Sequence, residues 1–174
     1  MAIAKESSKA LLFLGIMYNS KTLFTEALEQ FCSKYGEVEL ISEPQNFSQF
    51  SSYYNREIGG DVFKSYILFK KPIRRESLAE IKLYTNSLED QFRDGSLRPI
   101  NLDPGYLTVD KFVLASAKDF AHRIYIGDGI YAEVTLHFKR DLVKFFSWTY
   151  QDYLNPKVEK FLLNGRDYLK KERS

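Results

Sequence analysis

Ala10-Leu11-Leu12-Phe13-Leu14-Gly15-Ile16 is a run of seven uncharged, mostly apolar residues, and the fold is read outward from it. A short continuous apolar run suits a strand buried on both faces. Lys21–Tyr35 follows, with Leu23, Phe24, Ala27, Leu28, Phe31 and Tyr35 on one helical stripe. Ser20 or Asn19 can cap its start, and Gly36 supplies its end. Val38–Ile41 reads as a short strand. Ser42–Gly60 reads as a long polar connection that carries Phe47, Phe50, Tyr53 and Tyr54, and connections this long are usually functional.

Val62–Lys70 is the next predicted strand, closed by Pro72. Glu76–Arg93 reads as a helix through Leu78, Ile81, Thr85, Leu88 and Phe92, and Pro99–Leu102 reads as a strand. The order β-α-β-β-α-β predicts an α+β fold, a ferredoxin-like sandwich whose antiparallel sheet carries two helices on one face. One domain is expected, with residues 8–103 as this core. Residues 104–174 then supply a β-hairpin and helix extension of the same sheet. In that extension we expect a strand near Phe112–Ser116, a hairpin over 122–138, a strand near 143–147 and a helix from Pro156.

In the hairpin, a three-residue loop Gly127-Asp128-Gly129 sorts the faces. It pairs Ile124 with Ala132 and His122 with Val134 on one side, and Arg123 with Glu133 and Tyr125 with Tyr131 on the other. A two-residue Asp128-Gly129 turn would pair Ile124 with Glu133 and mix the faces, so the sorted register is predicted.

At 174 residues the chain can bury a sizeable core without a disulfide or metal staple. The net charge of +2 is too mild to demand a nucleic-acid partner. Cys32 is the only cysteine, which excludes an intramolecular disulfide and a multi-Cys zinc site, and its place on the first helix's apolar face predicts a packed thiol. The apolar run Ala10–Met17 is too short to span a membrane and lacks a signal-peptide pattern, so a cytoplasmic protein without a membrane partner is expected.

Polar residues concentrate between 97 and 138. In Asn101-Leu102-Asp103-Pro104-Gly105-Tyr106, Pro-Gly predicts a type II turn that fixes Asn101 and Asp103 on one face at a strand's end. His122, Arg123 and Glu133 offer a proton carrier, an anion clamp and an acid, residue types that suit an anionic substrate. Lys82, Thr85, Asn86 and Glu89 share one face of the second helix, which can border a polar cavity. Tyr54, Trp148, Tyr106, Tyr125 and Tyr131 bring aromatic area with a hydrogen-bonding tip. Gly15-Ile16-Met17-Tyr18-Asn19-Ser20-Lys21-Thr22 fits a phosphate-binding P-loop except that Ser20 replaces the second glycine. Lys64, Tyr66 and Lys70 alternate on one strand face, the position from which an RRM-like sheet binds RNA.

Six segments together resemble a bacterial and archaeal family, domain of unknown function 4416. They are Tyr53-Tyr54-x-x-Glu57-x-Gly59, Ile81-Lys82-x-x-Thr85-Asn86-x-Leu88-Glu89, Arg98–Tyr106, His122–Tyr125, Gly129–Leu136 and Trp148-Thr149-Tyr150-x-Asp152-Tyr153. The resemblance implies no known activity, although some members are labelled GTP-binding. The functional expectation is a binding protein or enzyme for a small anionic, phosphate-bearing ligand, in a pocket around Asn101, Asp103, Arg123 and Glu133. Asp103 or Glu133 would act as acid, base or metal ligand and His122 as proton carrier. The alternatives are an RNA- or protein-interaction module, and a GTP-binding protein with a degenerate P-loop. No cofactor is implied.

Overall fold

The computed structural model describes residues 3–47, 58, 60–140 and 142–172. Its strands are β1 (Ala10–Tyr18), β2 (Val38–Ile41), β3 (Gln45–Asn46), β4 (Phe63–Ile73), β5 (Ile100–Leu107), β6 (Lys111–Ser116), β7 (Ile124–Gly127), β8 (Ile130–Lys139) and β9 (Leu142–Phe145). The helices are α1 (Lys21–Tyr35), α2 (Leu78–Gln91) and α3 (Pro156–Lys171), and 3-10 turns at Arg75–Ser77 and Gln151–Leu154 lead into α2 and α3. The fold is therefore mixed α+β. Tyr53 and Tyr54 of the long connection lie outside the described residues.

The strands form one sheet in the order β2-β4-β1-β5-β6-β8-β7, with β3 added beside β4 and β9 beside β8. Every pairing is antiparallel. β1 is central because its residues are buried from end to end, as the unbroken apolar run demands. Alternate residues feed two cores. Leu12, Leu14 and Ile16 pack with Ala27 and Phe31 of α1 and Ile81 and Leu88 of α2. Leu11 and Phe13 face the other way and pack with Val158, Phe161, Leu162 and Leu169 of α3. Cys32 lies half-buried against the first of these cores. No helix among the described residues is long and apolar enough to cross a membrane.

Asn155 caps α3 by accepting the Lys157 N–H through Oδ1 at 2.9 Å, and Pro156 occupies the first turn. The close seat of α3 on the sheet depends on Gly165, where an added Cβ would run into Leu68 Cδ1 and Leu107 Cδ2.

Two local expectations need correction. The chain does not turn at Asp103-Pro104-Gly105, because β5 runs straight through them, with Pro104 opposite Leu14 and Gly105 opposite Phe13 on β1. Pro104 is tolerated because ladder groups alternate in direction along a strand. Leu102, two residues earlier, points its N–H away from β1, so the nitrogen of Pro104 also faces away. Gly105 serves for space, since a Cβ there would strike the Val113 carbonyl and Leu114 on β6.

The second correction concerns the hairpin. Asp128 (φ 53°) and Gly129 (φ 75°) form a two-residue left-handed turn between the paired Gly127 and Ile130. A bulge between Tyr125 and Gly127 then restores the predicted pairs Ile124–Ala132 and Tyr125–Tyr131. The Asp-Gly turn preference and these two pairs are satisfied at the cost of one bulged residue, whereas His122, expected on the face opposite Glu133, lies 3.1 Å from Glu133 Oε2 beside Arg123.

Replacing Gly165 with alanine is expected to destabilise the protein by about 1–3 kcal/mol through overpacking, read as a lower urea midpoint at unchanged slope. An unchanged midpoint would mean that α3 can slide away from Leu68 without loss.

Candidate functional site

β5 and β6 are paired only over Gly105–Leu107 and Phe112–Leu114. Beyond this short contact they diverge, and α2 with the 151–154 turn closes over the gap from opposite sides. The opening is a cleft of about 780 Å³. Its β5 wall carries Asn101 and Asp103, its α2 wall Lys82, Asn86 and Glu89, and its β6–β8 wall Ser116, Lys118 and Glu133. Lys64, Tyr150, Asp152 and Tyr153 close the side nearest α3, and Arg93 and Arg98 stand at the α2–β5 connection.

Leaving β6 exposes the outer edge of β5, and side chains from α2 substitute for the missing strand. Glu89 Oε1 accepts the Leu102 N–H at 2.6 Å, and Lys82 Nζ donates to the Leu102 carbonyl at 2.9 Å. The second Glu89 oxygen takes Arg98 Nη1 at 3.1 Å. Burial raises the Glu89 pKa, against the opposing pull of Lys82, the Leu102 N–H and Arg98.

On the α3 side, Lys64 Nζ and Tyr66 Oη each donate to Asp152 Oδ2 at 2.8 Å. Lys64 is held as a charged ammonium: burial alone would lower its pKa, but the carboxylates of Asp152 and Asp103 raise it above the ordinary lysine range. Tyr66 and Tyr153 are pushed well above the usual phenol range by burial, reinforced by Asp152.

The third cluster surrounds Glu133, whose side chain is buried. Its Oε2 accepts Arg123 Nε at 2.8 Å and lies 3.1 Å from His122 Nε2. Arg123 also reaches Ser116 Oγ, the Lys118 carbonyl and Tyr150 Oη, each at 2.8 Å. Four donor contacts are thus spent within the protein, and Arg123 braces the wall. Trp148 stacks between His122 and Phe146 at centroid distances of 5.1 and 4.6 Å and donates to the Val134 carbonyl. This stack fixes His122 behind Glu133 and sets the approach of Tyr150.

Asp103 differs from the three buried acids of the cleft, and the remaining one, Asp90, is exposed and paired with Arg93. The Asp103 side chain is 31% exposed, whereas those of Glu89, Asp152 and Glu133 are 4%, 3% and 1% exposed. Oδ2 accepts Asn101 Nδ2 at 2.8 Å, and Oδ1 lies 3.9 Å from Lys82 Nζ. Its charge acts on Lys64, Tyr66, Glu89, Tyr150 and Tyr153 from around the cleft.

The structure thus gathers Asn101, Asp103, Arg123, Glu133, Lys82, Asn86 and Glu89 on one cleft, while His122 and Trp148 stand behind its wall. Tyr106 packs in a separate cluster with Val113 and Ala115, and Tyr125 and Tyr131 pack edge to face on the outer hairpin. Tyr54 lies outside the described residues. Lys64 and Tyr66 do not form an exposed RNA-binding face: they are 4% and 0% exposed, because the 151–154 turn and α3 cover them. Gly15–Tyr18 is extended strand and α1 begins at Lys21, so this backbone does not curl into a phosphate cradle. Among the described residues no three His, Cys, Asp or Glu side chains gather as a metal cluster.

Sequence reasoning assigned no cleft role to Lys64, Arg98, Tyr150 or Asp152. A lysine inside the apolar run of β4 was the available signal, because a buried ammonium requires an acid nearby.

A mixed α+β protein with a charged cleft at a split in its sheet is the class these features define. The chain belongs to the family described as a domain of unknown function, DUF4416, which matches residues 8–168. No curated protein and no solved structure matches it.

Two outcomes follow from the buried charges. Removing Arg123 with R123A takes the guanidinium from buried Glu133, leaving it the His122 contact, and is expected to cost about 3–5 kcal/mol of stability, measured by urea unfolding. For Glu89 the folded state holds its proton more tightly than the unfolded chain. Between the ordinary glutamate pKa of about 4.3 and the raised value, stability therefore falls as pH rises. E89Q lacks that titration, so its stability relative to wild type should improve as pH goes from 4 to 7. A decline in that comparison would reverse the assignment.

Proposed function

We propose that the protein binds a small anion-bearing ligand, phosphate or carboxylate, in the β5–β6 cleft. The observation that carries this reading is Asp103: an open carboxylate set among buried, internally paired charges. It is the group placed to accept a ligand's hydroxyl proton, with Lys82 beside it. Cations support an anionic ligand more than acids oppose it, because six line the cleft against five carboxylates. The excess lies with Lys118 at the mouth, which has no carboxylate partner among the described residues. The anion-holding role expected of Arg123 passes in this reading to Lys118, since the Arg123 donors already have protein acceptors and Arg93 and Arg98 are engaged with Asp90 and Glu89.

The strand order β2-β4-β1-β5, with α1 and α2 on one face, supports reading residues 8–103 as a ferredoxin-like core. The remainder then extends the same sheet, and the cleft falls at the seam between them. The cytoplasmic location expected from the sequence belongs to this proposal too.

The test is a thermal-shift and calorimetry panel of inorganic phosphate, pyrophosphate, GTP with magnesium, and small carboxylates. A ligand at one hundred times its dissociation constant contributes about 2.7 kcal/mol, a rise of about 5–10 °C for a chain of this size. Trp148, the only tryptophan, gives a second readout through its stack on His122. We expect one phosphate or carboxylate compound to bind and D103N to weaken it at least tenfold. Binding of Mg-GTP that K21A abolishes and D103N leaves alone would replace this reading with a GTP-binding one.

A further inference from the structure

We infer that the α3 side of the cleft is a hydroxyl-binding floor, so that the ligand is a phosphorylated polyol and not a free anion. This rests on the anion-bearing ligand proposed above. Lys64, Asp152 and Tyr153 line the same cleft and are 4%, 3% and 1% exposed. The Tyr153 hydroxyl is buried and has no hydrogen-bond partner among the described residues. An unpaired buried hydroxyl is costly, and because Tyr153 is a residue of the cleft lining, its hydroxyl marks a place where a polar atom of a ligand can be received just beneath the cleft surface. Lys64 Nζ has three donors, and Asp152 accepts one of them.

The charges of this floor select against ions. Lys64 and Lys82 balance Asp103 and Asp152, so a bare phosphate there meets two carboxylates and a bare amine meets two ammonium groups. A hydroxyl both donates and accepts, and it fits a surface that places an O–H and an ammonium beside carboxylates. Asn101 adds an amide held against Asp103. An apolar group would leave these donors unanswered in a buried place.

The floor is also rigid. The Tyr153 ring packs against Phe13, Tyr66 and Phe112 at centroid distances of 6.3, 5.6 and 5.4 Å, and Lys64 Nζ lies 5.1 Å from the same ring. Its hydroxyl is therefore positioned before any ligand arrives, which lowers the cost of binding. The polyol end would lie on this floor and the phosphate end at the mouth, by Lys118.

Y153F tests the idea without endangering the fold, because it removes a hydroxyl that bonds to nothing among the described residues. Dissociation constants are measured by calorimetry for inorganic phosphate and for glycerol 3-phosphate, ribose 5-phosphate and glucose 6-phosphate. We expect at least one polyol phosphate to bind tenfold or more tighter than inorganic phosphate in the wild type. In Y153F that advantage should shrink to threefold or less, with inorganic phosphate unaffected and the melting temperature retained. Phosphate binding with no polyol advantage, or an advantage that Y153F leaves intact, overturns the floor and leaves the anion reading standing. No binding of inorganic phosphate or any of the three esters overturns the floor, and silence of the small carboxylates as well overturns the anion reading.

Discussion

The structure depends on how the free edge of β5 is satisfied at Leu102. A strand that leaves its neighbour normally exposes N–H and C=O groups to water or pairs them with another strand. Here Glu89 takes the N–H and Lys82 takes the carbonyl, so one helix supplies both halves of a ladder step. Each buried backbone group left unpaired would cost about 1–3 kcal/mol. With that cost met by side chains, β6 is free to diverge from β5 just beyond Gly105. The cleft follows from this exchange. The spacing of Lys82 and Glu89, seven residues apart and so on one helical face, is what makes it possible.

Arg123 plays a matching part on the opposite wall. Its guanidinium joins Glu133 on β8, Ser116 and Lys118 at the end of β6, and Tyr150 ahead of the 151–154 turn. A planar group with donors in fixed directions can hold several elements in one relation, which a lysine could not. The Phe120–His122–Trp148–Phe146 stack runs behind it and keeps the imidazole against Glu133. The two walls are thus held by different devices, a helix-borne pair on one side and an arginine hub on the other. Asp103 lies between them with one oxygen bonded to Asn101 and the other toward Lys82.

Much of the fold was legible because local pattern and tertiary role agree. The apolar run at β1, the stripe of α1 with Gly36 at its end, and the register of the β7–β8 pair all led to the observed elements. Agreement failed where a residue acts through a distant partner. Pro104-Gly105 carries turn chemistry, yet the strand continues, because the missing N–H falls on the open edge and the missing Cβ makes room for β6. Lys64 looked like a surface residue of a binding sheet because its acid, Asp152, lies 88 residues away in sequence. The candidate site was legible by residue type at Asn101, Asp103, Arg123 and Glu133. Arg123 shows the limit of that reading: its type suits an anion clamp, and its place commits it to the wall.

Stability alone does not account for this arrangement. Desolvating a buried ion pair commonly costs as much as the attraction returns, and well-packed apolar residues often serve a core better. Lys64–Asp152 and Arg123–Glu133 are both almost fully buried, Arg98–Glu89 is nearly so on its acidic side, and all three surround one cavity. Elsewhere the same sheet fills its faces with Leu, Ile and Phe. Ion pairs placed at such cost where the strands part gain their value from being fixed in direction: groups already oriented need not reorganise when a ligand's charge arrives. The immobility of the paired charges and the openness of Asp103 are two sides of one design. The cleft holds its buried charges still and leaves Asp103 open to respond.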